Sequence, residues 1–281
     1  MELRNLAIVR QTEKFRMREK SVLAVDLGGT KLAYQLALGR VVIASAVVST
    51  KHDFEAQLVD LFRELQAKVE HIDVVSIGVP GPVQKGIMGP SFPLKTTYNI
   101  DFKSLFPNAR KVLVRNDVQM AAFAELTQGR GMNFENFCVV SLSTGIGVGV
   151  VVNKDVINFR SEMGHQIIMH SHNEICQCPD HQGCWAGVCS GAAIKANRWN
   201  KAQYEFLREI NTVAFVNIIC AYDPQIIFVM GGVGRNLFNE VVPTKSDIAK
   251  KMKLSQVPEI ELSSINERIG VVGAAAMAGL C

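Results

Sequence analysis

The chain has 281 residues, of which 48% are hydrophobic, enough to bury one large domain or two smaller ones. Its formal net charge is only +4 and 20% of its residues are charged, which excludes the charge surplus typical of a dedicated nucleic-acid-binding protein. We also expect no membrane association, because no run of about 20 apolar residues occurs and charged residues stand where a signal peptide would be apolar.

Residues 1–20 form a locally basic segment, with six arginines and lysines against three glutamates. We interpret it as a solvated N-terminal extension, and an arm that binds nucleic acid is the alternative. Three of the seven cysteines crowd into Cys176, Cys178 and Cys184, which favours a metal site over a disulfide framework. We therefore expect a cytoplasmic protein whose partners are small molecules, with neither nucleic acid nor membrane among them.

Apolar runs predict two similar successions of strand, glycine-rich turn and strand. The first half is predicted to contain strands over residues 21–26, 31–38, 40–49, 73–79 and 112–115, and helices over 54–69 and 118–128. The second half is predicted to contain strands over 137–142, 148–153 and 226–230, a mostly helical stretch over 190–222 and a buried helix over 269–281. This pattern favours a repeated α/β unit with the ligand site in the cleft between the halves.

The sequence DLGGTK, residues 26–31, directly follows the first predicted strand. Gly28 and Gly29 let backbone N–H groups approach an anion, Thr30 adds a hydroxyl donor and Lys31 a cation. Asp26 is a candidate ligand of Mg²⁺, through water. The segment is thus a candidate phosphate loop, and an ordinary hairpin turn is the alternative.

The sequence STGIGVG, residues 143–149, has the same form, and its candidate phosphate contacts are Ser143, Thr144, Gly145 and Gly147. Two such turns could hold one polyphosphate from both sides. The pattern is neither a P-loop nor a dinucleotide fingerprint, because GxxxxGK[ST] is absent and a strand follows the glycines.

A third glycine pair, Gly231-Gly232, follows the strand predicted over 226–230. It would allow close approach of a flat ring or a ribose. A tight strand-to-helix turn without a ligand explains the same pattern.

The pair Asn116-Asp117 lies between a predicted short strand and a predicted helix. Asp117 would serve well as a helix N-cap. It is also a candidate general base that accepts the proton of a sugar hydroxyl, since phosphoryl transfer needs little else beyond positioning and charge neutralisation.

A candidate zinc site combines His165 with Cys176, Cys178 and Cys184, a set that matches the ligands of a structural tetrahedral zinc. Nearby histidines could substitute as ligands; they are His170, His172 and His181. The alternative is a loop of thiols without a metal. Since zinc-bound thiolates are poor nucleophiles, we expect a structural role.

Taken in order, these segments resemble the ROK family (repressors, open reading frames and kinases) over roughly residues 22–281. DLGGTK and STGIGVG resemble its two phosphate loops, GVPGPV (78–83) its sugar-side loop, and EMGH (162–165) its sugar-contacting segment, whose His also binds zinc. The cysteine cluster resembles its zinc loop, Gly231-Gly232 its adenosine segment, and residues 270–274 its C-terminal helix. Each motif is weak alone, and the ordered set is specific.

The resemblance implies a two-domain α/β protein of the actin-like ATPase (ribonuclease H-like) fold with an interdomain cleft. It implies one domain over residues 21–118 plus 269–281, a second with the zinc loop over 119–268, and a homodimer. MgATP would lie between the glycine loops, and Asp117 would act as base. The sugar, a hexose or N-acetylhexosamine, would contact Gly81, Asn116, Asp117, Glu162 and His165.

The chain departs from the family pattern at several points. Ala186 stands where the family usually has a sugar-contacting Glu, and Ser91 where an Asn is usual. Both spacings in the zinc loop are one residue longer, and the stretch between Gly191 and Asn217 is shorter. We expect these changes to weaken or redirect the choice of sugar and to leave phosphoryl transfer possible.

The leading hypothesis is therefore an ATP-dependent sugar kinase. One alternative is a non-catalytic sensor of sugar or nucleotide; the residues before Ser21 are too few for the helix-turn-helix domain of family repressors. Another is a kinase for an atypical sugar or a polyol.

Overall fold

A computed structural model describes residues 19–158, 162–169, 175–178, 182–253, 256–265 and 268–280. Its strands are β1 (Ser21–Leu27), β2 (Lys31–Leu38), β3 (Val41–Ser49), β4 (Val74–Val79), β5 (Val83–Gln84), β6 (Ile87–Met88), β7 (Ile100–Asp101), β8 (Lys111–Asn116), β9 (Phe137–Leu142), β10 (Ile146–Val152), β11 (Asp155–Val156), β12 (Ile226–Met230) and β13 (Glu259–Leu262).

The helices are short except for three of them. They are α1 (Phe54–Gln66), α2 (Phe102–Leu105), α3 (Asp117–Gln128), α4 (Trp185–Cys189), α5 (Gly191–Ala196), α6 (Tyr204–Tyr222), α7 (Gly231–Asn236), α8 (Phe238–Val241), α9 (Lys245–Lys251) and α10 (Ile269–Met277). Single 3₁₀ turns cover Arg130–Asn133, Met163–His165 and Lys201–Gln203. Within the described ranges, no helix combines the length and the apolarity that crossing a bilayer requires.

Two five-stranded sheets share one topology. Their strand orders are β3-β2-β1-β4-β8 and β11-β10-β9-β12-β13. In each sheet the three strands at one side are parallel, and the two at the other side continue antiparallel. The repeated α/β unit expected from the sequence is therefore present, and so is the mixed α/β fold class.

The central strands are predominantly apolar, and both of their faces are covered. β4 and β9 are buried at every residue, as expected for strands in sheets with helices on both sides. The placement of most elements agrees with the sequence prediction to within two residues. The stretch predicted as mostly helical is divided, since α5 ends at Ala196 and α6 begins at Tyr204. The boundaries of two domains stay a prediction.

Helix α3 packs closely against helix α10 and against strands of both sheets. A Cβ atom added at Gly273 of α10 would lie 1.7 Å from the carbonyl oxygen of Met120, and one at Gly149 of β10 would lie 2.5 Å from that of Val118. On the other side, a Cβ at Gly78 of β4 would lie 2.9 Å from Met120 Cγ. Glycines thus allow three elements to approach α3 closely and fix its position.

We predict that Gly273→Ala destabilises the fold by about 3 kcal/mol or more, because the new methyl group cannot fit against backbone and the helices must separate. Gly232→Ala is the matched control, since nothing lies within 4 Å of a Cβ there; we expect its free energy of unfolding to stay near that of the wild type. Urea unfolding followed by circular dichroism measures both. Equal midpoints for the two variants would contradict the contact.

Candidate active site

The first glycine turn joins β1 to β2 and is open to solvent. The Gly28 N–H donates to the Lys31 carbonyl at 2.8 Å, and the Thr50 hydroxyl donates to the Gly28 carbonyl at 2.7 Å. Gly29 lies against the next loop, because a Cβ there would be 2.6 Å from the Pro93 carbonyl oxygen. The turn is stabilised by these hydrogen bonds, and its residues Gly29, Thr30 and Lys31 are exposed. It is therefore accessible to an anion.

The second glycine turn joins β9 to β10 and is held by the start of α5. The N–H groups of Gly191 and Ala192 donate to the carbonyls of Ser143 and Thr144, at 2.7 and 3.2 Å. The Ser143 N–H in turn donates to the Gly145 carbonyl at 2.9 Å. Strand β10 begins at Ile146, two residues earlier than predicted, so Gly147 belongs to the strand and the turn is shorter than expected.

Gly231 and Gly232 open α7 beside the second turn. Gly231 has φ +88° and a Cβ there would lie 2.4 Å from the Leu142 carbonyl oxygen, so only glycine fits. Gly232 is exposed, with open space around its Cα. The Ser143 turn and the Gly231 pair thus form one continuous surface, as expected if both contact one nucleotide.

Asp117 is the first residue of α3, and Asn116 is its N-cap. The Asn116 side-chain oxygen accepts from the Val118 N–H at 3.0 Å. The capping role suggested for Asp117 therefore belongs mainly to its neighbour, although Asp117 Oδ1 also accepts from the same N–H at 2.9 Å. Asp117 therefore shares this N–H donor with Asn116.

The carboxyl groups of Asp26 and Asp117 lie close enough to interact electrostatically. Gly270 of α10 lies against Asp26, since a Cβ there would be 2.3 Å from the carboxylate. Burial raises the pKa of Asp26 to about 6. Burial and then the negative charge of Asp26 raise the pKa of Asp117 to about 7, and the charge of Glu162 adds a smaller contribution. The three carboxyl groups that the sequence assigned to metal, base and sugar are therefore electrostatic neighbours.

Asp117 and Val118, at the start of α3, each interact with a residue next to or within one of the two glycine turns. Asp26 precedes the first turn by one residue and influences Asp117 electrostatically. Val118, next along the chain, touches Gly147 of β10, where a Cβ would lie 2.7 Å from Val118 Cγ2. The start of α3 is therefore next to a strand of each sheet that leads into or out of a candidate phosphate loop.

The GVPGPV loop, which resembles the family's sugar-side loop, is hydrogen-bonded to Asn116. The Asn116 side-chain amide donates to the Gly81 carbonyl at 3.2 Å. Ser91, at the position where an Asn is usual in the ROK family, is buried, and its hydroxyl donates to the Pro80 carbonyl at 2.5 Å. Ser91 therefore stabilises the loop, because its hydroxyl group is hydrogen-bonded to the loop backbone.

The EMGH segment packs against the first residue of β10. A Cβ at Gly164 would lie 2.0 Å from the Ile146 carbonyl oxygen, so glycine is required there. This contact brings Glu162 near Asp117 and directs His165 to the cysteines. His165 Nδ1 lies 3.7 Å from both Cys178 Sγ and Cys184 Sγ.

The donor set around His165 fits a zinc ion. The ligand atoms of His165, Cys178 and Cys184 all lie within 4.8 Å of one another. Two ligands at zinc bond lengths of about 2.0–2.3 Å in a tetrahedron are roughly 3.5 Å apart, close to the separations seen here. Burial and the adjacent thiols raise the pKa of Cys184 to about 12, so a cation is the natural means of ionising this cluster.

Cys176 does not belong to that set of three, although its charge acts on Cys184. It lies beside α4, because a Cβ at Gly187 would be 2.3 Å from Cys176 Sγ. The substitute ligands considered from the sequence, His170, His172 and His181, lie outside the described residues. The fourth ligand of the predicted site therefore stays a prediction.

Several residues with a positioning role were not singled out from the sequence. Thr50 braces the first turn, Gly191 and Ala192 brace the second, and Gly270 makes room for Asp26. In the sequence, the small residues at the starts of α5 and α10 could have indicated these close contacts. Each acts on a partner at least 22 residues away, and such a partner cannot be read from local sequence.

Comparison with known sequences identifies the family. The sequence model of the ROK family matches residues 22–214, more than half of the chain. The chain belongs to the ROK family. Its fold is the one seen in the crystal structure of a ROK family glucokinase from Streptomyces griseus in complex with glucose and AMPPNP, with a TM-score of 0.68 at 20% identity, covering 92% of this chain and 98% of that one.

Two curated relatives are 30% identical to this ROK chain over part of its length. One is the N-acetylmannosamine kinase of Vibrio vulnificus (strain YJ016), matched over 62% of this chain and 63% of that protein. The other is the xylose repressor of Bacillus subtilis (strain 168), matched over 52% of this chain and 39% of the repressor. The match thus spans less than two thirds of either relative.

The raised pKa of Asp117 predicts a pH-dependent effect of Asp117→Asn on stability. A carboxyl whose folded pKa is about 7 against a usual 3.8 contributes stability at low pH that is lost as pH rises through 7. Without added magnesium, the free energy of unfolding of the variant relative to that of the wild type should therefore be higher at pH 8 than at pH 5 by about 1 kcal/mol or more. This corresponds to roughly 2–4 °C in Tm. Thermal melts at the two pH values measure this, with Asp155→Asn at an exposed carboxylate as control. An equal difference in stability between the variant and the wild type at both pH values would contradict the raised pKa of Asp117.

Proposed function

We propose that this ROK protein is an ATP-dependent sugar kinase that transfers the γ-phosphoryl group of MgATP to a hydroxyl of a hexose or N-acetylhexosamine. The observation that carries the proposal is the Asp117 carboxyl at the start of α3, where it interacts electrostatically with Asp26 and Glu162 and where its neighbour Val118 touches Gly147 of the second glycine turn. The fold shared with a glucokinase and the partial identity with an N-acetylmannosamine kinase support the same class of reaction.

Asp117 has the properties required of the base. Its pKa of about 7 lies near physiological pH, where a general base is both deprotonated and a good proton acceptor. Asp117 would accept the proton of the acceptor hydroxyl while the oxygen of that hydroxyl bonds to the γ-phosphorus. The bond between the γ-phosphorus and the bridging oxygen of ATP breaks, and ADP leaves.

The nucleotide side consists of the two turns and the Gly231 pair. We propose that Thr30 and Lys31 from one sheet, and Ser143 and Thr144 from the other, contact the phosphates. Gly232 would lie against the adenosine, because its open surface admits a flat group. Mg²⁺, when bound, would neutralise phosphate charge, and Asp26 is the carboxylate that would hold it, through water.

The acceptor side is the loop at Gly81 together with Asn116, Glu162 and His165. Two of the polar contacts usual in the family are altered, since Ser91 is turned to the Pro80 carbonyl and Ala186 carries no polar group. Loss of a hydrogen-bond partner alters the discrimination between sugars more than it alters the phosphoryl-transfer step. We therefore propose a preference among sugars that differs from that of relatives carrying the Asn and Glu.

We further propose that His165, Cys178 and Cys184, with a fourth ligand, bind a structural zinc ion. Zinc would fix the orientation of the His165 ring and hold the segment that carries Glu162 against β10. The clustered thiols suit a reducing compartment, so we propose a cytoplasmic enzyme.

A second candidate function is a sugar sensor without catalysis. The identity with a xylose repressor and the altered positions Ser91 and Ala186 favour it. The sensor would bind nucleotide or sugar at the same residues and release no ADP.

The kinase proposal predicts that ADP release from MgATP depends on one or more sugars in a panel of hexoses, hexosamines and N-acetylhexosamines. Asp117→Asn should lower this rate about 100-fold or more, since the amide cannot accept a proton, while MgATP binding persists. A coupled assay of ADP release measures the rate, and Asp155→Asn is the matched control. Turnover by Asp117→Asn at the wild-type rate would overturn the base assignment, and ATP binding without any sugar-dependent turnover would favour the sensor.

The zinc proposal predicts about one zinc ion per chain, lost in both Cys178→Ser and Cys184→Ser, because a hydroxyl is a much weaker zinc ligand than a thiolate. Elemental analysis of the purified protein measures the metal directly. Cys220→Ser, at an exposed cysteine of α6, is the control and should keep its zinc. Full zinc content in either ligand variant would remove that residue from the site.

A further inference from the structure

Ser263 follows β13 and lies where three elements of the fold meet. It is 2% exposed, and each of its polar groups is hydrogen-bonded. Its N–H donates to the Val229 carbonyl of β12 at 2.8 Å, its carbonyl accepts from Arg235 Nη2 of α7 at 3.3 Å, and its hydroxyl donates to Glu125 Oε1 of α3 at 2.6 Å. The residue therefore joins β12, α7 and α3.

Glu125, the partner of this hydroxyl, lies in the last turn of α3 and is fully enclosed. Its exposure is 0%. A Cβ at Gly129 would lie 2.0 Å from Glu125 Oε2, so glycine is required there to leave room for the carboxylate. Burial raises the pKa of Glu125, and the hydrogen bond from Ser263 is the largest influence in the opposite direction. The Ser263 hydroxyl thus partly compensates for the burial of this carboxylate.

A carboxylate at this place is costly for α3. A negative charge in the last turn of a helix opposes the helix dipole, and its burial costs free energy that apolar side chains would avoid. The first turn of the helix is already fixed by the close contacts at Gly273 and Gly149. The hydrogen bond between Glu125 and Ser263 fixes the other end, and a buried polar pair specifies one arrangement more strictly than apolar packing does.

Arg235 extends this connection to the nucleotide side. It belongs to α7, which begins with Gly231 and Gly232, and its guanidinium group holds the segment after β13 through two backbone carbonyls. At the other end of the connection is α3, whose first residue is Asp117. The surface proposed for adenosine and the proposed base are therefore carried by two helices that Ser263 links.

We propose that Ser263 and Glu125 are positioning residues for phosphoryl transfer, which hold α3 in a fixed position relative to α7 and thereby place Asp117 relative to the bound nucleotide. The inference rests on the proposed kinase function. Glu125 is eight residues after Asp117, roughly 12 Å along the helix, so it acts through the helix and not on the substrate. A shift of α3 along its axis would move the base, and small misplacements of a reacting group lower the rate strongly.

Steady-state kinetics of Ser263→Ala test the role, with Ser263→Thr as the conservative variant. At a temperature at which both variants are folded, Ser263→Ala should lower kcat about 10-fold or more, because the base is misplaced in the transition state. The KM values for sugar and MgATP should change by less than about twofold, since the groups that bind the ground state are untouched. Ser263→Thr keeps the hydroxyl group and should restore most of kcat.

Thr127→Ala is the matched control. Thr127 lies in the same turn of α3, and its hydroxyl donates to the Phe123 carbonyl of the same helix at 2.7 Å, so its loss breaks no link to another element. Its kcat should stay at the wild-type value. The double variant Glu125→Gln/Ser263→Ala covers the case in which Ser263→Ala does not fold, because it breaks the same link without leaving a buried carboxylate unpaired. It should show the same loss of kcat.

The outcomes separate this inference from the proposed function. Loss of kcat in Ser263→Ala at unchanged KM, restored in Ser263→Thr and absent from Thr127→Ala, establishes the positioning role. A Ser263→Ala variant that melts at a lower temperature but keeps the wild-type kcat overturns it, while the kinase proposal stands. A wild type without sugar-dependent ADP release overturns both, because Asp117 then has no proton to accept.

Discussion

The close packing of α3 against α10 determines where the chemical groups of this protein stand. At Gly273 the two helices meet backbone to backbone. The start of α3 carries Asp117, and the start of α10 carries Gly270, which borders the Asp26 carboxylate. The helix crossing therefore positions Asp117 directly and brings α10 against Asp26, which is carried by β1. A side chain at that crossing would displace the base.

This pair of carboxyl groups is electrostatically costly without ligands. Burial raises the pKa of both Asp26 and Asp117, and the negative charge of Asp26 raises that of Asp117 further. A magnesium ion and the proton of an acceptor hydroxyl are the positive groups that the proposed reaction would bring to the pair. The arrangement thus exchanges some stability for function, as active sites commonly do.

Much of the fold could be predicted from sequence because its signals are local. The apolar runs and glycine pairs located β1, β9 and β12 and the turns that follow them. The pair Asn116-Asp117 was placed correctly at a strand–helix boundary. Which of the two caps the helix depends on backbone angles that composition does not give, and the cap belongs to Asn116.

The remaining features depend on contacts between distant segments. The sequence marks Ser91 as a departure from the family pattern, but only its hydrogen bond to the Pro80 carbonyl shows that it supports the sugar-side loop. Likewise, four zinc ligands were expected from the residue types and their clustering, and the structure draws three of them together.

The central claim is that two neighbouring carboxylates have separate tasks, Asp26 with the metal and Asp117 with the proton. Calorimetric titration of ATP, with and without Mg²⁺, into the wild type, Asp26→Asn and Asp117→Asn tests it most directly. The account predicts that Mg²⁺ strengthens ATP binding in the wild type and in Asp117→Asn but not in Asp26→Asn. An equal effect of Mg²⁺ on all three proteins would contradict the division of tasks.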